Sequence, residues 1–106
     1  MRMTGIQAYQ NTALSTDSPW KLIDRLFEGA IARIDSGQLD KARRIVEEGL
    51  LGALDPAIPM SRSLADTYEA VLVHLEPGGD VATARKMLST LREGWLGIRD
   101  KVPNAY

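Results

Sequence analysis

The sequence predicts an all-α fold, an antiparallel up-down-up-down four-helix bundle behind a non-helical N-terminal leader. Three observations carry this expectation. Four stretches repeat apolar residues at helical spacing, each with a polar opposite side. Short turn sequences separate them: Asp35-Ser36-Gly37, Asp55 to Pro59, and Glu76-Pro77-Gly78-Gly79. Short connections favour antiparallel neighbours. No run alternates in the manner of a strand. The expected organisation is a leader over 1–17, the bundle over 18–102 and a short tail over 103–106.

The leader lacks helical periodicity. Thr12, Ser15 and Thr16 are polar, while Ile6, Tyr9 and Leu14 are apolar but scattered. Such a segment reads as a frayed terminus or as a short recognition element. The first helix is expected from Pro19 to Asp35. Ser18 can cap it, and Pro19 at the first helical position loses no hydrogen bond through its missing N–H. Leu22, Ile23, Leu26, Phe27, Ala30, Ile31 and Ile34 form its apolar stripe, with Lys21, Asp24, Arg25, Glu28 and Asp35 behind it.

The second helix is expected from Gln38 to Leu54. Pro56 disfavours helical backbone at Asp55 and so sets its end. Its inward face is Leu39, Ala42, Ile45, Val46, Gly49, Leu50 and Ala53. Gly49 and Gly52 each cost about 1 kcal/mol relative to alanine inside a helix. Gly49 falls on the apolar face, where the close approach of a neighbouring backbone would explain it; the sequence gives no reason for Gly52. The third helix is expected from Met60 to Leu75, with Met60, Leu64, Tyr68, Val71 and Leu75 inward and Arg62, Asp66 and Glu69 outward. Asp80 is positioned to cap the fourth, which runs to about Lys101 with Val81, Ala84, Met87, Leu88, Leu91, Trp95 and Ile98 inward.

The bulk properties narrow the function classes. A chain of 106 residues suits one core and is too short for two. Thirteen basic residues face fourteen acidic ones, so no general charge drives it toward nucleic acid or an acidic membrane. No apolar run approaches the ~20 residues needed to span a bilayer. The opening Met1-Arg2-Met3-Thr4 has no apolar stretch after it, so no secretion signal is expected. Absence of cysteine excludes disulfides and thiol chemistry, and fits a cytoplasmic location.

No catalytic constellation, cofactor motif or metal motif stands out, and the expectation is a non-enzyme. His74 is the only histidine, which leaves no His/Cys metal cluster. A lone histidine on a four-helix bundle suggests a phosphotransfer domain, but Pro77 breaks the helix within one turn of it. An ordinary side chain at a helix end is the better reading. Arg25, Arg43, Arg44 and Arg85 could serve a small helical mutase if they turned into the bundle, yet all four map to polar or flanking faces. Gly78-Gly79 is only a turn. More informative are apolar residues off the core face: Leu51 on the second helix, Val73 on the third and Leu96 on the fourth. If they joined into one patch, that patch would be a binding surface.

Several segments, in order along the chain, resemble the flagellar secretion chaperone FliS family. They are Gly5-Ile6-Gln7-Ala8-Tyr9, then Ser18-Pro19 with Leu22-Ile23 and Leu26-Phe27-Glu28-Gly29-Ala30. Next come Ile45-Val46-Glu47-Glu48-Gly49-Leu50 with Leu54-Asp55, then Tyr68-Glu69, then Leu91-Arg92-Glu93-Gly94-Trp95. No single segment is as specific as a zinc-ligand pattern; their shared order is what carries the resemblance. Two departures are visible. The first and third turns are shorter than the family's, and Ala70 stands where a second tyrosine is often found.

The resemblance implies a cytoplasmic chaperone without a cofactor. Its partner would be the C-terminal segment of flagellin, which it would cover to prevent premature polymerisation. It would then deliver flagellin to the membrane protein of the flagellar export gate. Within the leader, Ile6 and Tyr9 would serve gate docking, and the leader could also cover the flagellin site in the free protein. Leu51, Tyr68, Val73 and Leu96 are the candidates for contact with flagellin. The alternatives are a generic helical interaction domain and, less favoured by the residues, phosphotransfer through His74.

Overall fold

Each expected apolar stripe becomes one helix of a four-helix bundle. The computed structural model describes residues 19–98. Helix α1 is Pro19–Asp35. Helix α2 begins as an α-helix over Leu39–Arg44 and continues as a π-helix over Ile45–Leu51. Helix α3 is Met60–His74 and helix α4 is Val81–Ile98. The Ser18 cap, the leader with Ile6 and Tyr9, and the tail lie outside the described residues.

Neighbours in sequence are neighbours in space. Helix α1 packs on α2 and on α4, while α3 packs on the π segment of α2 and on α4, which sets α3 diagonally opposite α1. Two ion pairs fix the antiparallel sense of α1 and α4. Near the start of α1, Asp24 accepts from Arg92 Nε at 2.6 Å, and Glu28 lies 3.3 Å from the same guanidinium. At its end, Asp35 accepts from Arg85 Nε at 2.6 Å and from Nη2 at 3.0 Å. Going up α1 therefore means going down α4.

The turns follow from their residues. After α1 the chain makes a Schellman closure: Gln38 N–H donates to Arg33 C=O at 2.8 Å and Gly37 N–H to Ile34 C=O at 3.0 Å. This places Gly37 at φ 76°, a region that glycine enters without steric cost. Between α3 and α4, Gly79 N–H donates to Glu76 C=O at 2.8 Å, with Pro77 and Gly78 (φ 82°) in the middle positions that a type II turn requires. Asp80 caps α4 as expected, its carboxylate accepting from Thr83 N–H at 3.1 Å and from Thr83 Oγ1 at 2.7 Å. In the longer α2–α3 loop, buried Ser61 donates its hydroxyl to Asp55 C=O at 2.5 Å and ties the loop to the start of α3.

Two carboxylates in these features titrate below their ordinary value of 3.8: Asp35 through its bonds with Arg85, and Asp80 through its bonds with Thr83. A folded carboxylate that holds its proton less tightly than the unfolded one adds stability above the unfolded value. That contribution fades as pH falls through the folded value. Urea melts at pH 5 and pH 3 should therefore show a larger acid loss in the parent than in the Asp35→Asn, Asp80→Asn double variant. Equal losses would mean that neither contact persists in solution.

The core matches the apolar stripes. Ile23, Phe27, Ala30, Val46, Leu50, Tyr68, Val71, Leu75, Ala84 and Leu88 are all fully enclosed. Helix α2 departs from expectation in two ways. It ends at Leu51 rather than Leu54, and its second half is π-helical, with Gly52 N–H donating to Glu47 C=O five residues back at 2.9 Å. A Cβ on Gly52 would lie 2.8 Å from Glu48 C=O, so the closing of this wide turn explains the second glycine. Gly49 is a tight point as expected, but its neighbour is a side chain: a Cβ there would lie 3.0 Å from Leu26 Cδ2 of α1.

Candidate functional site

Among the described residues, the α3–α4 seam leaves apolar surface open. Tyr68 projects from α3 into the core, 1% exposed, its ring 6.3 Å from that of Phe27 and tilted by 51°. Trp95 comes in from α4 and is 5% exposed. Both fall at inward phase on their helices, so both act as floor rather than rim. Half-buried Met60 and Leu64 of α3 and Leu91 of α4 rise around them, and together with Thr90 and Gly94 they enclose an open cavity of about 280 Å³. A second cavity of about 290 Å³ continues along the same seam between Thr67 of α3 and Thr83, Lys86 and Met87 of α4. The two share Thr90 and Leu91, so they form one groove.

From Thr83 to Trp95 this groove runs roughly 18 Å along α4 at 1.5 Å per residue, the length of about three helical turns. Its lining is apolar carbon and threonine, with Lys86 the one charged side chain. Methionines on two of its walls, Met60 and Met87, have unbranched thioether chains that reshape at little cost. Chemically the groove can bury an apolar helix face, and its threonine hydroxyls can meet polar atoms at the edges. A third depression, about 440 Å³, lies across α3 between Leu51, Leu54 and Pro56 on one side and Ser61, Arg62 and Ala65 on the other.

The expected contact residues fall in different places. Tyr68 is at the groove floor, where a partner meets it only by seating deeply. Leu51 was expected roughly opposite the core. It is instead half-buried against it and lines the α2–α3 depression. The π-helical turn explains this, since each residue advances by less than the 100° of an α-helix and Leu51 stays nearer the direction of Leu50. Val73 and Leu96 are exposed, at 60% and 42%. Neither lines the groove. Because α3 and α4 are antiparallel, the two residues stand roughly 20 Å apart along the bundle. Leu51, Val73 and Leu96 do not join into one patch.

Sequence phase alone hid the groove. Met87, Leu91 and Trp95 repeat at core spacing, and periodicity does not say whether a core-facing side chain is covered from above. One signal was available: small or short residues, Thr67, Thr90 and Gly94, flank the seam and leave the walls low.

Several charged residues are engaged in ion pairs within the bundle. Arg85 and Arg92 bind α1, and Arg43 pairs with Asp40 at 3.0 Å. Arg25, Arg43, Arg44 and Arg85 all lie outside the buried core. His74 is the last residue of α3, half-buried beside the turn. Among the described residues no group of three or more His, Cys, Asp or Glu is placed to hold a metal ion, and no helix is long and apolar enough to cross a membrane. No protein-family model, curated protein or solved structure matches the chain.

Proposed function

We propose that this bundle is an export chaperone for flagellin, holding the C-terminal segment of the subunit in the α3–α4 groove. One observation carries the reading. Two of the segments that resemble the secretion-chaperone family, Tyr68-Glu69 and Leu91 to Trp95, are far apart in sequence and converge on this groove. Tyr68, Leu91, Gly94 and Trp95 line it. Arg92, from the same segment, turns the other way to bind Asp24 and Glu28, so the segment both builds the bundle and furnishes the site.

The physical logic is coupled folding. A flagellin C-terminus that is disordered in the free subunit lays an apolar helix face into the groove, and part of the contact energy goes into ordering it. While covered, that segment is withheld from filament assembly. The chaperone acts in the cytoplasm and releases its cargo at the export gate, where Ile6 and Tyr9 of the leader make the docking contact. The α2–α3 depression with Leu51 gives a longer cargo segment a second place to rest.

The direct test is co-purification with flagellin from the same cell, intact and lacking its C-terminal segment. Intact flagellin is retained and the truncated form is lost. Cargo binding should slow hydrogen exchange in α3 and α4 most strongly. No binding of intact flagellin at tens of micromolar would sink the proposal, and retention of both forms would point to a less selective interaction domain.

A further inference from the structure

We infer that Gly94 sets the fit of the groove, as the point where a helical occupant brings its backbone against α4. This rests on the binding role proposed above and adds which residue determines how closely the cargo seats. Gly94 lies inside α4, where glycine is the least favourable residue short of proline. Gly49 has a reason for its missing side chain within the bundle, since a Cβ would press on Leu26. At Gly94 a Cβ would meet no described atom within 4 Å beyond its own helix backbone and chain neighbours. Among the described residues, packing therefore gives no reason for this glycine.

The groove does gain. Gly94 borders it beside Trp95, at the end floored by Tyr68 and walled by Met60 and Leu64. The distance between packed helices is set by the side chains at their crossing. With hydrogen in place of Cβ, an occupant can approach the α4 main chain and reach the recessed Trp95. The matching cargo has a small residue opposite Gly94 and large apolar residues on the Thr83 side of it, which enter the two cavities. Gly97 supplies an internal control. It is equally free of neighbours among the described residues, yet it does not line the groove.

Gly94→Ala and Gly97→Ala, made separately in the full chain, test this against a peptide with the sequence of the flagellin C-terminal segment. Both substitutions should raise the melting temperature, Gly94→Ala by roughly 4–8 °C. Only Gly94→Ala should weaken the peptide, by about tenfold, because a methyl is forced into a packed contact. Unchanged affinity in Gly94→Ala, with the parent and Gly97→Ala binding, overturns the role of Gly94 and leaves the chaperone reading standing. Failure of the parent itself to bind overturns both. A fall in melting temperature for Gly94→Ala also overturns the inference, because part of this chain would then already occupy the space.

Discussion

Phe27→Ala should remove about 3–5 kcal/mol of folding stability, the range for deleting a buried aromatic ring. Phe27 is 1% exposed and spans the diagonal of the bundle, from α1 to the ring of Tyr68 on α3. Side-by-side helices touch along their whole length, but diagonal helices meet only through large side chains in the centre. Alanine there leaves a void that no single neighbour can fill. It also ends a ring pair of the kind worth about 0.5–1.5 kcal/mol beyond burial. Domains of this size are stable by roughly 5–15 kcal/mol in all, so the variant loses about a fifth of its margin at the least. Urea melts should show a lower midpoint with the slope retained. Because Phe27 also borders the groove, the same variant should let Tyr68 sink and should bind cargo less well. A loss under about 1 kcal/mol would show that α1 and α3 do not meet through these rings in solution.

The bundle is legible in the sequence because its signals are local and agree with one another. Gly37 closes α1 and Asp80 caps α4, each in its expected role. The apolar stripes identify the buried faces for the same reason, since phase along a helix is a property of spacing alone. What escapes the sequence is non-local. The N–H of Gly52 can reach the carbonyl four or five residues back with identical side chains around it, so nothing in the residue types foretells the π turn or the swing of Leu51 toward the core. The ion pairs of Arg85 and Arg92 join residues far apart in the chain, and their partners become known only once α1 and α4 are laid side by side.

The groove belongs to the second group. Exposed apolar residues suggested a patch, yet Val73 and Leu96 stand at opposite ends of the bundle. The uncovered surface is made instead by residues of core phase. Tyr68, singled out by family resemblance, lies at the floor of the groove. Helix phase decides which way a side chain points; whether it is covered depends on how nearly two helices close over it. At the α3–α4 seam the intervening residues are threonine and glycine, too short to close the gap.

If that seam holds the cargo, Thr90→Asp should weaken binding of the flagellin C-terminal peptide by about 3 kcal/mol, roughly a hundredfold. Thr90 is exposed and belongs to both halves of the groove, so an occupant crossing from one to the other must cover it. In the free protein the new carboxylate stays in water, and threonine and aspartate have similar helix propensities. Stability should therefore stay within about 0.5 kcal/mol of the parent. In the complex the same carboxylate is stripped of water against apolar walls, and it is too short to reach the solvent. Lys86 stands one turn away, but lysine preceding an acid by four residues is the weaker order for a helical ion pair and returns only a few tenths of a kcal/mol. Thr90→Val separates loss of the hydroxyl from gain of charge, and should bind as well as the parent. Calorimetric titration of the three proteins decides the matter: affinities within threefold of one another would place the cargo elsewhere on the bundle.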